Sequence, residues 1–92
     1  VTKEPRWEEL IADVVARHGR LDGLVNNAGV GSMNTIENIT MEELRFVQSV
    51  NVDAVAIGCK HAIRTMKTTG GGSIVNISSV AGLIGAPMLP AY

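Results

Sequence analysis

Two short apolar segments on either side of one long amphipathic stretch constrain the fold of this chain more than any other feature. Leu21–Asn27 and Gly72–Ser79 are apolar in the middle and bounded by turn-forming residues, which is typical of buried parallel strands. Between them, apolar residues recur at helical spacing over residues 41–67. The sequence therefore predicts an α/β fold in which a helix connects two parallel strands by a right-handed crossover.

A second helix is predicted before the first strand. Thr2 is the expected N-cap, Pro5 fits the first turn, where amides have no partner within the helix, and Gly19 is placed to end it. We interpret Trp7 as an anchor in the core rather than a stacking surface, and His18 as a helix-end residue favoured by the dipole. The remaining positions on the apolar face are Leu10, Ile11, Val14 and Val15.

The long central helix has a clear start signal and one polar residue in its apolar stripe. Thr40 with Glu43 three residues later forms a capping box. Asn51 lies on the stripe, where an amide costs free energy unless it is hydrogen-bonded. Its spacing favours a satisfied structural amide that ties the helix to a neighbour. The apolar positions of the stripe are Leu44, Val47, Ala54, Gly58, Ala62 and Thr65.

The same helix has more apolar surface than one stripe requires. We expect this surface to form a subunit contact, so that the helix Met41–Lys67 holds a homodimer or homotetramer together. The residues that widen the surface are Phe46, Val50, Ala56 and Ile57.

Composition restricts the class of protein. Among 92 residues, eight are basic and nine acidic, the net charge is −1 and hydrophobic residues make up 46%, so we expect a globular chain without a nucleic-acid or membrane surface patch. Cys59, the single cysteine, has no disulfide partner and no neighbour at metal-ligand spacing. We therefore expect a cytoplasmic protein without a metal.

Because the sequence starts at Val1 rather than methionine and ends at Tyr92, we expect an internal segment of a longer protein.

Small and polar residues follow both predicted strands. Asn26–Gly29 ends the first strand, at the kind of edge where open α/β sheets bind ligands, although the same residues are equally typical of a turn. Ser78 and Ser79 end the second strand, and the loop that follows leads to Tyr92. A serine on a rigid strand and a tyrosine on a loop are a plausible pair for proton transfer.

The loop between the serines and Tyr92 is unusually apolar for a connection. Two alternatives fit Met88 and Leu89: they line a pocket for an apolar substrate, or they pack in the ordinary way.

Four of these features together resemble the short-chain dehydrogenase/reductase family. They are Leu24–Gly29, Asn51 twenty-four residues after Asn27, Ile77–Ser79, and Tyr92 thirteen residues after Ser79. The resemblance covers essentially all of the chain and about the middle third of a typical member. It implies a doubly wound, Rossmann-type parallel sheet. Residues 1–92 would then be the central part of a single NAD(P)-binding domain, lacking its first strands and its C-terminal part.

The resemblance also implies roles for single residues. Ser79 matches the catalytic serine that holds the substrate oxygen, and Tyr92 matches the catalytic acid/base. Asn51 matches the asparagine whose backbone carbonyl holds a water of the proton relay. The cofactor, NAD or NADP, would contact Val1 through its adenine ring and the segment Asn26, Asn27, Ala28 and Gly29 along its adenosine half, with Asn27 the best-placed contact.

The implied function is an NAD(P)-dependent oxidoreductase that interconverts an alcohol and a ketone. The apolar loop Leu83–Leu89 favours a cyclic or steroid-like substrate, and a carrier-bound 3-oxoacyl compound is the main alternative. The rival from another class is a non-catalytic dinucleotide-binding or assembly protein of the same fold. A third hypothesis is an inactive truncated fragment.

Parts that the family uses for activity would lie outside these residues. An isolated phenol has a pKa of about 10, and the lysine that the family places four residues after the tyrosine would follow residue 92. The glycine-rich phosphate loop would precede residue 1. We therefore expect residues 1–92 alone to be inactive and marginally folded, with an exposed sheet edge.

Overall fold

The computed structural model describes all residues from 1 to 92 and has two layers, a parallel sheet and a layer of helices. Its elements in chain order are helix α1 (Glu4–His18), strand β1 (Gly23–Asn26), helix α2 (Met41–Gln48), a π-helical segment (Ser49–Asp53), helix α3 (Ala54–Met66), strand β2 (Ser73–Asn76) and a 3-10 turn (Val80–Gly82). The strands pair in parallel, with Gly23 opposite Ser73 and Asn26 opposite Asn76. The predicted order of elements and the parallel pairing are confirmed.

Helix α1 ends where the sequence predicts but begins differently. Gly19 has a left-handed φ of 76°, and its N–H donates to the Val15 carbonyl, a conformation that costs glycine little because it has no Cβ. The N-cap is Lys3, without a side-chain capping bond, so the prediction of Thr2 as the cap was wrong. The first turn is instead set by Pro5 and by the Arg6 N–H, which donates to the Lys3 carbonyl at 3.1 Å.

The central helix begins as predicted, but it is not continuous. The Glu43 N–H donates to Thr40 Oγ1 at 3.1 Å and the Thr40 N–H donates to the Glu43 carboxylate at 3.2 Å, which confirms the capping box. At Ser49–Asp53 the α-helical pattern gives way, and the Ala54 N–H donates to the Ser49 carbonyl five residues earlier. The expectation of one uninterrupted α-helix is corrected. Single wide turns of this kind are frequent at functional sites.

The hydrophobic core lies between α1, α3 and one face of the sheet. It includes Trp7, as predicted, whereas Leu10 on the same helix is 55% exposed and lies outside it. Helix α3 comes close enough to make this core because Gly58 has no side chain. A Cβ there would lie 2.6 Å from Asn26 Oδ1 and 2.9 Å from the Trp7 ring. The buried side chains of the core are Trp7, Ile11, Leu21, Ala62 and Met66.

The other face of the sheet is open. Val25 and Val75 are 60% and 47% exposed, although strands of parallel sheets are normally covered on both faces. The strands are also shorter than the predicted segments Leu21–Asn27 and Gly72–Ser79, since each pairs over only four residues. None of the helices combines the length and the apolar character needed to cross a bilayer.

Candidate functional site

A cleft of about 220 Å³ lies at the carboxyl ends of β1 and β2. This is the edge at which open α/β sheets bind ligands. The cleft is lined by residues from the loop after β1, the π-helical segment and its flank, the residues after β2, and the end of the chain. The site residues predicted from the sequence that line it are Asn27, Ala28, Gly29, Asn51, Ser79 and Tyr92.

Asn51 joins the π-helical segment to the loop after β1. Its Oδ1 accepts a hydrogen bond from the Val30 N–H and its Nδ2 donates to the Val30 carbonyl, both at 2.8 Å. The amide is therefore satisfied on both sides, as its place on an apolar stripe predicted. Gly29 lies directly beside it, because a Cβ there would be 3.5 Å from Asn51 Oδ1. Asn51 thus holds in place the stretch of loop that forms one wall of the cleft.

Ser79 stands at the start of the 3-10 turn. Its Oγ accepts a hydrogen bond from the Ala81 N–H at 3.2 Å. A hydroxyl that accepts in this way keeps its own proton available for donation. Ser78 also lines the cleft, so the fold brings both serines to it, whereas the interval to Tyr92 in the sequence favoured Ser79 alone.

Tyr92 lines the cleft beside the loop after β1. A Cβ on Gly31 would lie 3.7 Å from Tyr92 Cδ2, and the tyrosine remains 45% exposed. The preceding Ala91 is buried and fixes the backbone there. The Asn34 N–H donates to the Met88 carbonyl at 3.1 Å. This bond holds the loop after β1 against the loop that leads to the tyrosine, and sequence reasoning did not predict it.

Val1 and Asn26 lie in an adjoining pocket of about 50 Å³, which Asn27 and Ala28 also line. The Trp7 Nε1–H donates to the Val1 carbonyl at 2.7 Å and fixes the start of the chain there. This places Val1 and Asn26 next to the main cleft but outside it.

The Asn26 side chain is buried and already engaged. Its Nδ2 donates to Asn76 Oδ1 at 2.9 Å and lies 3.5 Å from Cys59 Sγ. The amide therefore ties the end of β1 to the end of β2. A cofactor contact of Asn26 would have to come from its backbone.

The apolar loop before Tyr92 is only partly packed. Met88 and Leu89 do not line the cleft, and Met88 is 42% exposed with a left-handed φ of 63°. Leu83 and Ile84 are 88% and 62% exposed. Leu89 is half-buried, and Gly82 at the start of the loop is its only residue that lines the cleft.

Known proteins are similar to this chain in both sequence and fold. Residues 1–92 match the model of the short chain dehydrogenase family. The chain is 38% identical, over its full 92 residues, to a cyclopentanol dehydrogenase of Comamonas sp., of which it covers 37%. It is 37% identical over the same length to a 3-alpha-(or 20-beta)-hydroxysteroid dehydrogenase of Mycobacterium bovis, of which it covers 35%.

A solved structure agrees with these matches. A tyrosine-to-phenylalanine variant of ElxO with NADPH bound superimposes with a TM-score of 0.91 at 33% identity, over 98% of this chain and 37% of that one. The chain spans about a third of the length of the curated relatives that it matches. Because the family match extends over every residue and the fold is the Rossmann-type fold of its members, the chain belongs to the short chain dehydrogenase family.

Proposed function

We propose that the protein is an NAD(P)-dependent oxidoreductase that interconverts an alcohol and a ketone. One observation carries the proposal. Asn51, Ser79 and Tyr92 come from three separate parts of the chain and line one cleft beyond the ends of the parallel strands. Related dehydrogenases of alcohols and hydroxysteroids support it. In this proposal residues 1–92 are the central part of a single dinucleotide-binding domain that works in the cytoplasm.

The wall formed after β1 fits a dinucleotide. Ala28 and Gly29 present almost no side chain to the cleft, which lets a ligand approach the backbone closely. Asn27 adds an amide that can hydrogen-bond to a sugar or base, and Val1 borders the adjoining pocket. NADPH on the related ElxO structure supports the choice of ligand. When bound, the nicotinamide supplies or accepts the hydride.

The side chains of the cleft are suited to hold the substrate oxygen and to move its proton. The Ser79 Oγ accepts a hydrogen bond from the Ala81 N–H, so the hydroxyl proton is free to be donated to the substrate oxygen. The Tyr92 hydroxyl gives a proton to that oxygen when a ketone is reduced and removes one when an alcohol is oxidised. The Asn51 side chain is engaged with Val30, which leaves its backbone carbonyl as the group that would hold a relay water.

The substrate proposed is an apolar cyclic alcohol or ketone. Relatives act on cyclopentanol and on hydroxysteroids, as their names state. In this chain the exposed apolar side chains of Leu83 and Ile84 follow directly after Gly82, which lines the cleft. Burying exposed apolar area against a ring substrate would favour binding. A 3-oxoacyl compound is the alternative to be tested beside it.

A second copy of the chain is the proposed partner of the central helix. Of the residues expected to widen the apolar surface, Phe46 is 56% exposed, whereas Val50 is buried and Ile57 packs against the core, so these two do not contribute. Val52 and Ile63 are 52% and 45% exposed. Such apolar surface along the central helix favours a homodimer or homotetramer through Met41–Lys67. Sedimentation at several concentrations tests this. Phe46→Glu should shift the protein towards the monomer, and an unchanged mass distribution would rule out a contact through Phe46.

Replacing Tyr92 by phenylalanine tests the catalytic proposal. In the longer protein that contains residues 1–92, we expect turnover of cyclopentanone and of a ketosteroid with NADH or NADPH to be abolished. Cofactor affinity measured by calorimetry should stay within about twofold, because only the hydroxyl is removed. Ser79→Ala should lower turnover strongly. Ser78→Ala compares the two serines that line the cleft: its loss of turnover should be smaller than that of Ser79→Ala, and equal losses would contradict the choice of Ser79.

Two results would contradict the proposal. Turnover retained in Tyr92→Phe would remove the role of the tyrosine. Cofactor binding without turnover of any alcohol, ketone or 3-oxoacyl thioester by the wild type would favour the non-catalytic dinucleotide-binding protein instead.

A further inference from the structure

Three side chains with metal-binding chemistry meet between α1 and α3, and none of them lines the cleft. Glu4 and Glu8 lie one turn apart on α1, so they share a face of that helix. His61 faces them from α3. The ligand atoms of the three side chains all lie within 4.8 Å of one another.

We infer that Glu4, Glu8 and His61 form a binding site for a divalent transition-metal ion, with Zn²⁺ as the representative. One imidazole nitrogen and two carboxylate oxygens are ligands that Zn²⁺ takes, at about 2.0–2.2 Å, with water in the remaining position. Tetrahedral bonds of that length place ligand atoms about 3.4 Å apart. Glu4 Oε1 and His61 Nε2, which lie 2.7 Å apart, would have to separate to reach that spacing. The exposed Glu8 side chain can adjust to it by changing rotamer.

The histidine is the fixed member of the trio. Its side chain is only 9% exposed, and its Nε2 lies 2.7 Å from Glu4 Oε1. Because an ionised carboxylate only accepts hydrogen bonds, the Nε2–H donates to Glu4 in the metal-free protein. A metal would bind the other tautomer, with the proton on Nδ1 and the Nε2 lone pair facing the same space. A ligand held in place by packing loses little freedom when a metal binds.

Glu8 is the member of the trio that takes no part in the ion-pair network between α1 and α3. Glu4 contacts both Lys60 Nζ and His61 Nε2, and these contacts alone would tie α1 to α3. Glu8 has no hydrogen-bond or ion-pair partner in the structure, yet its carboxylate lies within reach of the other two ligands. A cation would bring all three groups into one coordination sphere.

The space beside the trio can accommodate the rest of a coordination sphere. A groove of about 360 Å³ lies between α1 and α3, and Glu8 and His61 line it together with Thr65 and Thr68. Water molecules bound to the metal would have room there, and the threonine residues carry hydroxyl groups that can hydrogen-bond to them.

Lys60 competes with the metal. Its ammonium group pairs with the Glu4 carboxylate. A bound cation would have to displace the lysine, since two positive charges at one carboxylate repel each other.

Zn²⁺ titration of the purified protein by calorimetry tests the site, with Co²⁺ absorption in the visible range as a readout of the ligands. Glu8→Gln should weaken Zn²⁺ binding about tenfold or more. Glu8 is exposed, so this variant should fold normally. His61→Gln should weaken binding further and remove the Co²⁺ band, and Lys60→Met should tighten binding.

Glu9→Gln is the matched control. Glu9 is exposed on the same helix and pairs with Arg6 instead of the trio, so the Zn²⁺ affinity should not change. Absence of Zn²⁺ binding by the wild type would overturn the inference. Equal affinities of Glu8→Gln and Glu9→Gln would overturn it as well, since the metal would then bind elsewhere.

Discussion

The core between α1 and α3 and the cleft at the strand ends are held together in different ways. Around Gly58 the core has no room even for a methyl group next to Trp7. The cleft is instead kept in shape by a few hydrogen bonds to backbone, such as those of Asn51 to Val30 and of Asn34 to Met88. Close packing makes a region sensitive to volume, whereas a few bonds can be lost without unfolding. Changes in the core should therefore alter stability, and changes at the cleft should mainly alter function.

The largest effect on stability is expected from Trp7→Ala. Removing a buried aromatic side chain from a packed core costs about 3–5 kcal/mol, and Trp7 packs in the core formed with α3. Denaturant unfolding of the purified protein measures the loss. Leu10→Ala is the control on the same helix, where 55% exposure predicts a change below about 0.5–1 kcal/mol. Equal losses in the two variants would contradict the placement of the core.

Gly58→Ala should cause the next largest loss of stability. Alanine favours a helix over glycine by about 1 kcal/mol, but the added methyl would meet Asn26 Oδ1 and the Trp7 ring at less than 3.0 Å. Overpacking costs about 1–3 kcal/mol, so we expect a net loss of stability in the same unfolding assay. Gly85→Ala is the control, because nothing lies within 4 Å of a Cβ there. A gain of stability in Gly58→Ala would show that α3 can move away from β1 at little cost.

Asn51→Ala should show most clearly that the cleft and the core respond differently, because its effect on kinetics should exceed its effect on stability. It removes both hydrogen bonds to Val30, at about 1–2 kcal/mol of stability. The cleft wall loses its anchor, and a displacement of about 1 Å can lower kcat/KM by up to about a hundredfold. Kinetics and unfolding should be measured on the same preparation. Asn51→Asp keeps the acceptor for the Val30 N–H but turns a carboxylate oxygen towards the Val30 carbonyl, so it should not restore the wall of the cleft. Full activity in Asn51→Ala would mean that the loop holds its shape without the amide.

The smallest effect should be the pH dependence that comes from Glu4. Its pKa is lowered chiefly by the hydrogen bond from Lys60 and then by His61. A lowered carboxylate pKa stabilises the fold above the ordinary value of 4.5 and ceases to do so as pH falls through the folded value. The difference in unfolding midpoint between wild type and Glu4→Gln should therefore be present near neutral pH and shrink below 4.5. Glu9→Gln should show no such trend, and a difference that persists in acid would remove Glu4 as the cause.

The parts of the fold that the sequence predicted well depend on local chemistry. Gly19 ends α1, and Thr40 with Glu43 begins α2, because capping involves residues only a few positions apart. The parallel pairing followed from the order of elements. The convergence of Ser79 and Tyr92 on one cleft was predictable because segments that follow parallel strands leave the same edge of the sheet.

What the sequence could not predict depends on partners far along the chain. The Asn26 amide bonds to Asn76, fifty residues away, so its structural role was hidden within a motif associated with ligands. The π-helical turn also gave no local signal in the sequence. The hydrogen bond that its Asn51 makes goes to Val30, which lies twenty-one residues earlier in the chain. The sequence left two alternatives open for the apolar loop around Met88, because burial depends on which elements cover it and a local sequence pattern does not specify those.

The wide turn at Ser49–Asp53 means that the central helix contains one residue more than an α-helix needs to connect the same ends. Deleting one exposed residue there, Val52, should restore the ordinary pitch. Circular dichroism should show unchanged helix content, because α3 would keep its alignment with the sheet. The carboxamide at position 51, however, would be rotated away from the loop after β1. The surplus residue thus lets one helical stretch serve two purposes: its α3 part packs on the sheet, and at a single turn it reaches across to the loop after β1.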